Sequence, residues 1–481
     1  MKTGKLIGLI ISILAFFVIC ALPTSVFGID GLTVLQQRTI AIFVFAALMW
    51  ITEAIPSWTT SIIVIVISLL ILSNKGLGFL MMDAEGNPLV GTMTYVKIMS
   101  SFSDPVVMLF LGGFSLAIMA QKYGLDVTLA RVLLKPFGTN PKMVLLGFLS
   151  VIAIFSMFMS NTATAAMMLA FLAPILATFP EGDKGKMALA LSIPIAANIG
   201  GIGTTIGTPP NGTAVSNLET AFDITISFGD WAIRMIPFVV IMILFAWVVL
   251  LLLFPFSEKK LVVNIPENTK PKTWRTYLVW ATFAVVILLW ATESITKISS
   301  NIVALIPLAV FVCTGTFTKE DIKQIDWSVL WLVAGGFALG YAMLDIEKGG
   351  TGLGKVLVDA IPFGEMSIVL VLVIAALVCY TLSNFISNSA TAALLVPILC
   401  AVSKGLASNP TFEMYGGEKA MVIFVAVSAS LAMLMPISTP PNALAFSTGL
   451  VKTKDMIKVG SIIGAFGLVL AFFWITKIFP F

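Results

Sequence analysis

Long apolar runs alternate with short polar segments along almost the whole chain. A helix needs about 20 mainly apolar residues to cross the hydrocarbon core of a bilayer. The pattern therefore predicts an all-α polytopic protein embedded in the lipid bilayer. Eleven runs have the length of one crossing, and they cover residues 6–27, 38–55, 58–74, 105–122, 187–220, 231–255, 275–293, 299–317, 327–345, 420–450 and 458–479.

Two further apolar segments, 144–179 and 366–403, carry polar residues near their middle. The first contains Ser160, Asn161 and Thr162, with 16 residues before Ser160 and 17 after Thr162. Neither arm reaches the length of a comfortable crossing, so each segment is typical of a re-entrant hairpin with the polar residues at its tip. Sixteen helical residues rise about 24 Å, which places such a tip near the middle of the membrane.

The sequence TPPN stands at residues 208–211 and again at residues 439–442, each time inside an apolar run. Proline removes a backbone donor and clashes with the preceding helical turn. Glycines at positions 200, 201, 203 and 207 weaken the helix further just before the first copy. Each of these two runs is therefore predicted to be a broken helix with an unwound middle.

These motifs belong to an internal duplication. SNTATAA at 160–166 matches SNSATAA at 387–393, WITEAIP at 50–56 matches WATESIT at 290–296, and LGGFSLA at 111–117 matches AGGFALG at 334–340. The duplication predicts two repeats, 38–255 and 275–455, joined by a cytoplasmic linker at 256–274. The segments 1–37 and 456–481 supply one helix at each end. Five crossings separate the matched helices, and an odd number makes the repeats inverted in the membrane.

Composition and charge limit the classes of function that we expect for this chain. The chain is 59% hydrophobic and 11% charged, whereas soluble domains are about 25% charged. With the N-terminus placed in the cytoplasm, 18 of the 28 Lys and Arg residues lie on the inner side, and the C-terminus lies outside. The net charge of +4 gives no sign of nucleic-acid binding. The sequence has no histidine, no CxxC pair, no acidic pair in the core and no phosphate-binding loop, so we do not expect an enzyme.

The segments 144–179, 187–218, 366–403 and 420–451 contain no charged side chain. The predicted site therefore offers hydroxyls, amides and backbone groups. Helix N-termini favour anions, and unwound carbonyls favour small cations. We expect a secondary transporter that binds an anion together with Na⁺ or H⁺, and two matched tips suit an anion charged at both ends.

The paired SNT-type triplets, the paired TPPN breaks and WITEAIP resemble the divalent anion/sodium symporter family of dicarboxylate, citrate and sulfate transporters. The resemblance implies Na⁺-coupled transport of a C4-dicarboxylate such as succinate, malate or fumarate across the cell membrane. It also implies a homodimer in which a transport domain slides past a scaffold domain, as an elevator does. Two alternatives stay open, namely a dicarboxylate or citrate/succinate exchanger without Na⁺ coupling, and a sulfate transporter.

The resemblance also implies roles for individual residues. The substrate-binding residues are expected to be Ser160, Asn161, Thr162, Ser387, Asn388, Ser389, Thr439 and Pro440. The first sodium site is expected to use Ser156, Ser160, Asn161 and Gly207, and the second Ser383, Asn388 and the backbone at Ile386 and Ser438. Ser389 departs from the family, which usually has threonine there. Ser156 and Ser383 each lie four residues before a motif serine, on the same face of a helix.

Overall fold

The computed structural model describes residues 3–83, 85–176, 179, 183–261, 270–359 and 366–481. Regular structure in these residues is helical apart from two isolated β-bridges, which confirms the predicted all-α class. Residues 262–269 of the predicted linker and residues 177–178 of the first predicted hairpin lie outside the described residues.

The first half of the chain forms eleven α-helices among the described residues, the last of which ends at residue 253. They are α1 (Thr3–Ala21), α2 (Val34–Thr52), α3 (Ser57–Ile71), α4 (Tyr95–Met99), α5 (Pro105–Lys122), α6 (Leu125–Leu134), α7 (Pro141–Ser156), α8 (Asn161–Leu176), α9 (Gly185–Gly201), α10 (Pro209–Phe222) and α11 (Phe228–Leu253). The α7–α8 hairpin and the α9/α10 break stand where the sequence predicts them.

Helices of the second half follow the same order. They are α12 (Trp274–Ala291), α13 (Glu293–Thr296), α14 (Ser300–Val303), α15 (Leu305–Cys313), α16 (Lys319–Ile322), α17 (Trp327–Met343), α18 (Leu353–Asp359), α19 (Ile368–Ser383), α20 (Asn388–Leu406), α21 (Gly417–Ser430), α22 (Pro440–Ser447) and α23 (Thr453–Phe473). A long helix, a helical hairpin, a broken helix and a second long helix thus occur twice, as α5, α7–α8, α9/α10 and α11, and as α17, α19–α20, α21/α22 and α23.

Seven helical spans among the described residues are long and apolar enough to cross a membrane. They are Thr3–Ala21, Val34–Thr52, Tyr95–Lys122, Phe228–Leu253, Trp274–Ala291, Asn388–Leu406 and Thr453–Ile478. Six of them correspond to predicted crossings, whereas Asn388–Leu406 is the second arm of the predicted hairpin 366–403 and is longer than the sequence prediction allows. The other predicted crossings correspond to shorter or interrupted helices. The run 299–317 was expected to form one helix, but the structure divides it at Ala304 and ends it at Cys313.

The paired glycines of the LGGF and AGGF motifs let helices approach closely. A Cβ atom on Gly112 would lie 1.9 Å from Ala304 O, and one on Gly335 would lie 2.3 Å from the Ser61 Cβ atom. No side chain fits at such distances, so α5 packs directly on the turn after α14, and α17 packs directly on α3. Small residues serve the same purpose in membrane helix pairs generally.

Candidate functional site

Both hairpins turn at the polar motif, and the motif serine starts the second helix. α8 begins directly after Ser160, whose Oγ accepts a hydrogen bond from Ala163 N at 3.2 Å. α20 begins directly after Ser387, whose Oγ accepts from Ala390 N at the same distance. Each serine is therefore an N-cap, which satisfies one of the free N–H groups of the first turn.

Both TPPN motifs start a half-helix after an unwound segment. Pro209 and Pro440 occupy the first helical position, where the missing N–H costs no hydrogen bond. The following asparagine then holds the unwound segment that precedes it. Asn211 Nδ2 donates to the carbonyl oxygens of Gly201 (3.0 Å) and Thr204 (2.7 Å). Buried carbonyls that leave a helix are thereby satisfied by one side chain.

The second copy repeats this arrangement. Asn442 Nδ2 donates to the carbonyl oxygens of Met433 at 3.0 Å and Met435 at 2.8 Å. Both asparagines are completely buried. The asparagine of TPPN is thus the residue that makes the predicted unwinding compatible with burial, in both copies.

The two hairpin tips and the two breaks enclose one cavity of about 210 Å³. All eight residues predicted to bind substrate line this cavity, and so do Gly207 and Ser438 from the predicted sodium sites. The remaining lining residues are Phe110, Phe114, Asn198, Ile206, Thr208, Pro209, Asp326, Val329, Leu332 and Pro441. Motifs separated by more than 200 residues in the sequence therefore meet at one place.

Ser156 lies behind the first hairpin tip, where it is completely buried. Its Oγ lies 2.7 Å from Ala197 O and 2.6 Å from the amide group of Asn161. The same amide atom lies 3.2 Å from both Ala197 O and Gly207 O. With the amide nitrogen in this position, its two hydrogens are shared among three acceptors, namely Ser156 Oγ, Ala197 O and Gly207 O. With the amide oxygen there, four oxygens converge with too few hydrogens between them, and a small cation fits that donor set.

Ser383 has the matching position behind the second tip. Its Oγ lies 2.8 Å from Asn388 Oδ1 and 3.0 Å from Ala429 O. A hydroxyl has one hydrogen and serves only one of these acceptors, so this cluster also has a surplus of oxygens. The serine bonds across to the broken helix in both copies, rather than to the previous turn of its own helix.

The other two residues of the predicted second sodium site have their side chains engaged elsewhere. Ile386 is buried in the turn between α19 and α20. Ser438 Oγ donates to Asn384 O at 3.0 Å and accepts from Met435 N at 3.0 Å. Any contribution to a cation from these two positions therefore comes from the backbone, as the resemblance implies.

Two polar residues that line the cavity were not predicted from the sequence. Asn198 is 1% exposed and donates from Nδ2 to Thr439 Oγ1 at 3.2 Å, which links the first broken helix to the second. Asp326 gives the cavity a charged group, whereas the sequence predicts a neutral lining. Asp326 is the N-cap of α17 and stands nine residues before Gly335 of the AGGF motif, and no sequence pattern brings that helix end to the cavity.

Known proteins resemble this chain along nearly its full length. It matches the family model described as the sodium:sulfate symporter transmembrane region over residues 3–479. A Haemophilus influenzae protein described as an uncharacterized transporter is 30% identical over 477 residues, which cover 94% of this chain and 92% of the relative.

Two staphylococcal relatives carry the name sodium-dependent dicarboxylate transporter SdcS. The one from Staphylococcus saprophyticus is 28% identical over 496 residues, covering 95% of this chain and 88% of the relative. The one from Staphylococcus aureus strain MRSA252 is 29% identical over 520 residues, covering 99% of this chain and 92% of the relative. Because the family model spans almost the entire chain, this protein belongs to the sodium:sulfate symporter family of membrane transporters.

Proposed function

We propose that this protein couples the movement of Na⁺ to the uptake of a C4-dicarboxylate across the cell membrane. The observation that carries the proposal is the meeting of two hairpin tips and two helix breaks around one cavity, with an oxygen cluster behind each tip. The names of the staphylococcal relatives support both the ion and the class of substrate.

The cavity suits a dianion because four helices start at its wall. The first residues of α8, α20, α10 and α22 all line it. Each helix N-terminus carries roughly half a positive charge, and those of α8 and α20 also present backbone N–H groups that have no partner within the helix. We propose that Ser160, Asn161 and Thr162 bind one carboxylate, and that Ser387, Asn388 and Ser389 bind the other. Thr439 and Pro440 then line the space between them.

The two oxygen clusters suit the coupling ions. In the first, Ser156, Asn161 and the carbonyls of Ala197 and Gly207 converge. In the second, Ser383, Asn388 and Ala429 O do the same. Each asparagine lies both in a cluster and in the cavity wall, so a bound cation fixes the amide that contacts the anion. Such a shared ligand makes the affinities for the two species mutually dependent.

Asp326, at the start of α17, lines the cavity, and in the proposed topology this end of α17 faces the cytoplasm. We therefore propose that the structure corresponds to an inward-facing state. We propose that the inverted repeats exchange their environments when the site moves outward, by an elevator motion of the hairpins and broken helices. The homodimer, the cytoplasmic N-terminus and the external C-terminus complete the proposal and rest on the family resemblance and the Lys/Arg distribution.

A binding measurement on the purified protein tests the chemistry of the site. Succinate affinity is measured calorimetrically in NaCl and in choline chloride, with malate, fumarate, citrate and sulfate as competitors. We expect binding in NaCl only, and competition by malate and fumarate at similar concentrations. Equal affinity in choline chloride contradicts Na⁺ coupling, and displacement by sulfate but not by malate contradicts the dicarboxylate assignment.

A further inference from the structure

One buried acidic residue outside the cavity joins the broken helix α10 to two helices beside it. Asp104 caps α5 by accepting from Val106 N at 2.8 Å, and it is only 6% exposed. Its other oxygen, Oδ2, accepts from Tyr341 OH of α17 at 2.8 Å and from Ser216 Oγ of α10 at 3.0 Å. A buried carboxylate is costly unless it is hydrogen-bonded, so these bonds stabilise this arrangement of α5, α17 and α10.

The duplication supplies the same pair of residues a second time. Asp326 caps the AGGF helix as Asp104 caps the LGGF helix, and the two aspartates stand nine residues before Gly335 and eight before Gly112, respectively. Ser447 stands five residues after Asn442 (447 − 442), as Ser216 stands five after Asn211 (216 − 211). The second pair is not joined in this structure. Ser447 is exposed and donates to Leu444 O, and Asp326 is exposed beside the cavity.

We infer that Asp104 and Asp326 are positioning residues of the transport cycle, each of which holds the site at one side of the membrane. In the present state Asp104 holds α10 through Ser216. In the opposite state Asp104 and Ser216 separate, and Asp326 becomes buried against Ser447 of α22. This inference rests on the proposed function, because only a protein whose repeats exchange environments needs both pairs.

The two pairs are not equivalent in strength. Tyr341 stands five residues after Gly336, and the matching position after Gly113 is Ile118, which has no hydroxyl. Asp326 therefore lacks the tyrosine that bonds to Asp104. The present state keeps one more hydrogen bond than the opposite state, so it is favoured in the absence of substrate.

Paired cysteines test the geometry of the opposite state directly. In full-length protein with Cys20, Cys313, Cys379 and Cys400 changed to alanine, Asp326→Cys is combined with Ser447→Cys, and bridging by Hg²⁺ is read from protection against a thiol-reactive polymer. We expect bridging, and we expect it to stop succinate uptake until excess thiol is added. Asp326→Cys with Thr448→Cys is the matched control, because position 448 is turned by about 100° on the helix.

The known pair, Asp104→Cys with Ser216→Cys, serves as the positive control. The inference is overturned if this control pair is bridged while the pair at 326 and 447 is bridged no more than the pair at 326 and 448. The cysteine-free protein must still take up succinate in that experiment. Absence of uptake by the unmodified protein instead contradicts the proposed function, so the two failures are distinguishable.

Serine variants test the same inference without changing the caps. Ser216→Ala removes the hydrogen bond to Asp104 in the present state, and Ser447→Ala removes the inferred hydrogen bond to Asp326 in the opposite state. We expect the ratio of inward to outward populations, measured by single-molecule fluorescence, to fall about tenfold in the first and rise about tenfold in the second. The double variant should return to within about twofold of the original ratio. A merely structural role predicts no such compensation, and additive losses of uptake without a change in the ratio overturn the inference.

Discussion

The half-helices α10 and α22 follow the same four residues, TPPN, yet they have different surroundings. α10 packs against α5, α17 and α20, and its residues Gly212, Ser216 and Leu218 are buried. α22 packs against α8 and α9, and its residues Phe446 and Ser447 are exposed. The motif therefore sets the local cap and the unwinding, whereas the tertiary environment differs between the copies. Two copies of one motif with unequal burial are what the proposed alternation between two states predicts.

The largest expected effect is a loss of succinate uptake, and it tests whether the two hairpin tips are equally important. Asn161→Ala and Asn388→Ala should each abolish succinate uptake, because each removes an amide that belongs to an oxygen cluster and to the cavity wall. Membrane expression should stay near normal. The control is Ile154→Ala on α7, where the side chain is 40% exposed. Near-normal uptake by either asparagine variant contradicts the site.

The second-largest expected effect is on stability, and it compares the asparagines of the two TPPN motifs. Asn442→Ala removes two donated hydrogen bonds and also leaves Thr439 Oγ1 without the acceptor that lies 3.1 Å away. We expect a loss of about 3 kcal/mol of stability, against about 2 kcal/mol for Asn211→Ala. Thermal unfolding in detergent checks the order, with Asn87→Ala in an exposed loop as control. A larger loss for Asn211→Ala would show that Asn442 contributes less than its contacts indicate.

The third expected effect compares two glycines at matching positions, Gly113 on α5 and Gly336 on α17. A Cβ atom on Gly336 would lie 2.6 Å from Ala393 Cβ, whereas one on Gly113 meets nothing nearer than Ile206 Cδ1 at 3.8 Å. Gly336→Ala should therefore destabilise by about 1–3 kcal/mol. Gly113→Ala should be neutral or slightly stabilising, since alanine is the better helix former. Equal melting temperatures for the two variants contradict this difference between the copies.

The smallest expected effect concerns the cation clusters. Ser156→Ala and Ser383→Ala each remove one of several oxygens, so the Na⁺ concentration for half-maximal uptake should rise about tenfold in both, with the maximal rate largely kept. Sodium titrations of uptake at saturating succinate measure this, with Ser150→Ala on α7 as control. An unchanged sodium dependence in both variants would assign these serines a structural role only.

Much of the fold follows from the sequence because its causes are local. Apolar length predicts helices, proline predicts the breaks, and a polar triplet in a short apolar segment predicts a hairpin tip. The short helices α4 and α6 were missed, since they lie in segments too polar or too short to form a crossing. The division at Ala304 was missed as well, because residues 302–313 around it contain no charged, amide or hydroxyl side chain.

Only the residues of the duplicated motifs could be predicted as parts of the site. The duplicated serines, asparagines and prolines that the sequence assigns to the substrate all line the cavity. Asn198 and Asp326 are different, since each reaches the cavity through tertiary packing between helices of opposite halves of the chain. The same packing decides that Ser216 is buried and Ser447 is exposed, although the two serines have equivalent positions in the sequence.

The measurement that tests the central claim most directly is uptake of radiolabelled succinate into proteoliposomes. Lumens are either empty or loaded with succinate, and each is tested with and without an inward Na⁺ gradient. Uptake into empty vesicles that requires the gradient is the predicted result, and it supports both cation clusters and the dicarboxylate cavity together. Uptake only into loaded vesicles, unaffected by Na⁺, contradicts Na⁺-coupled transport and identifies an exchanger instead.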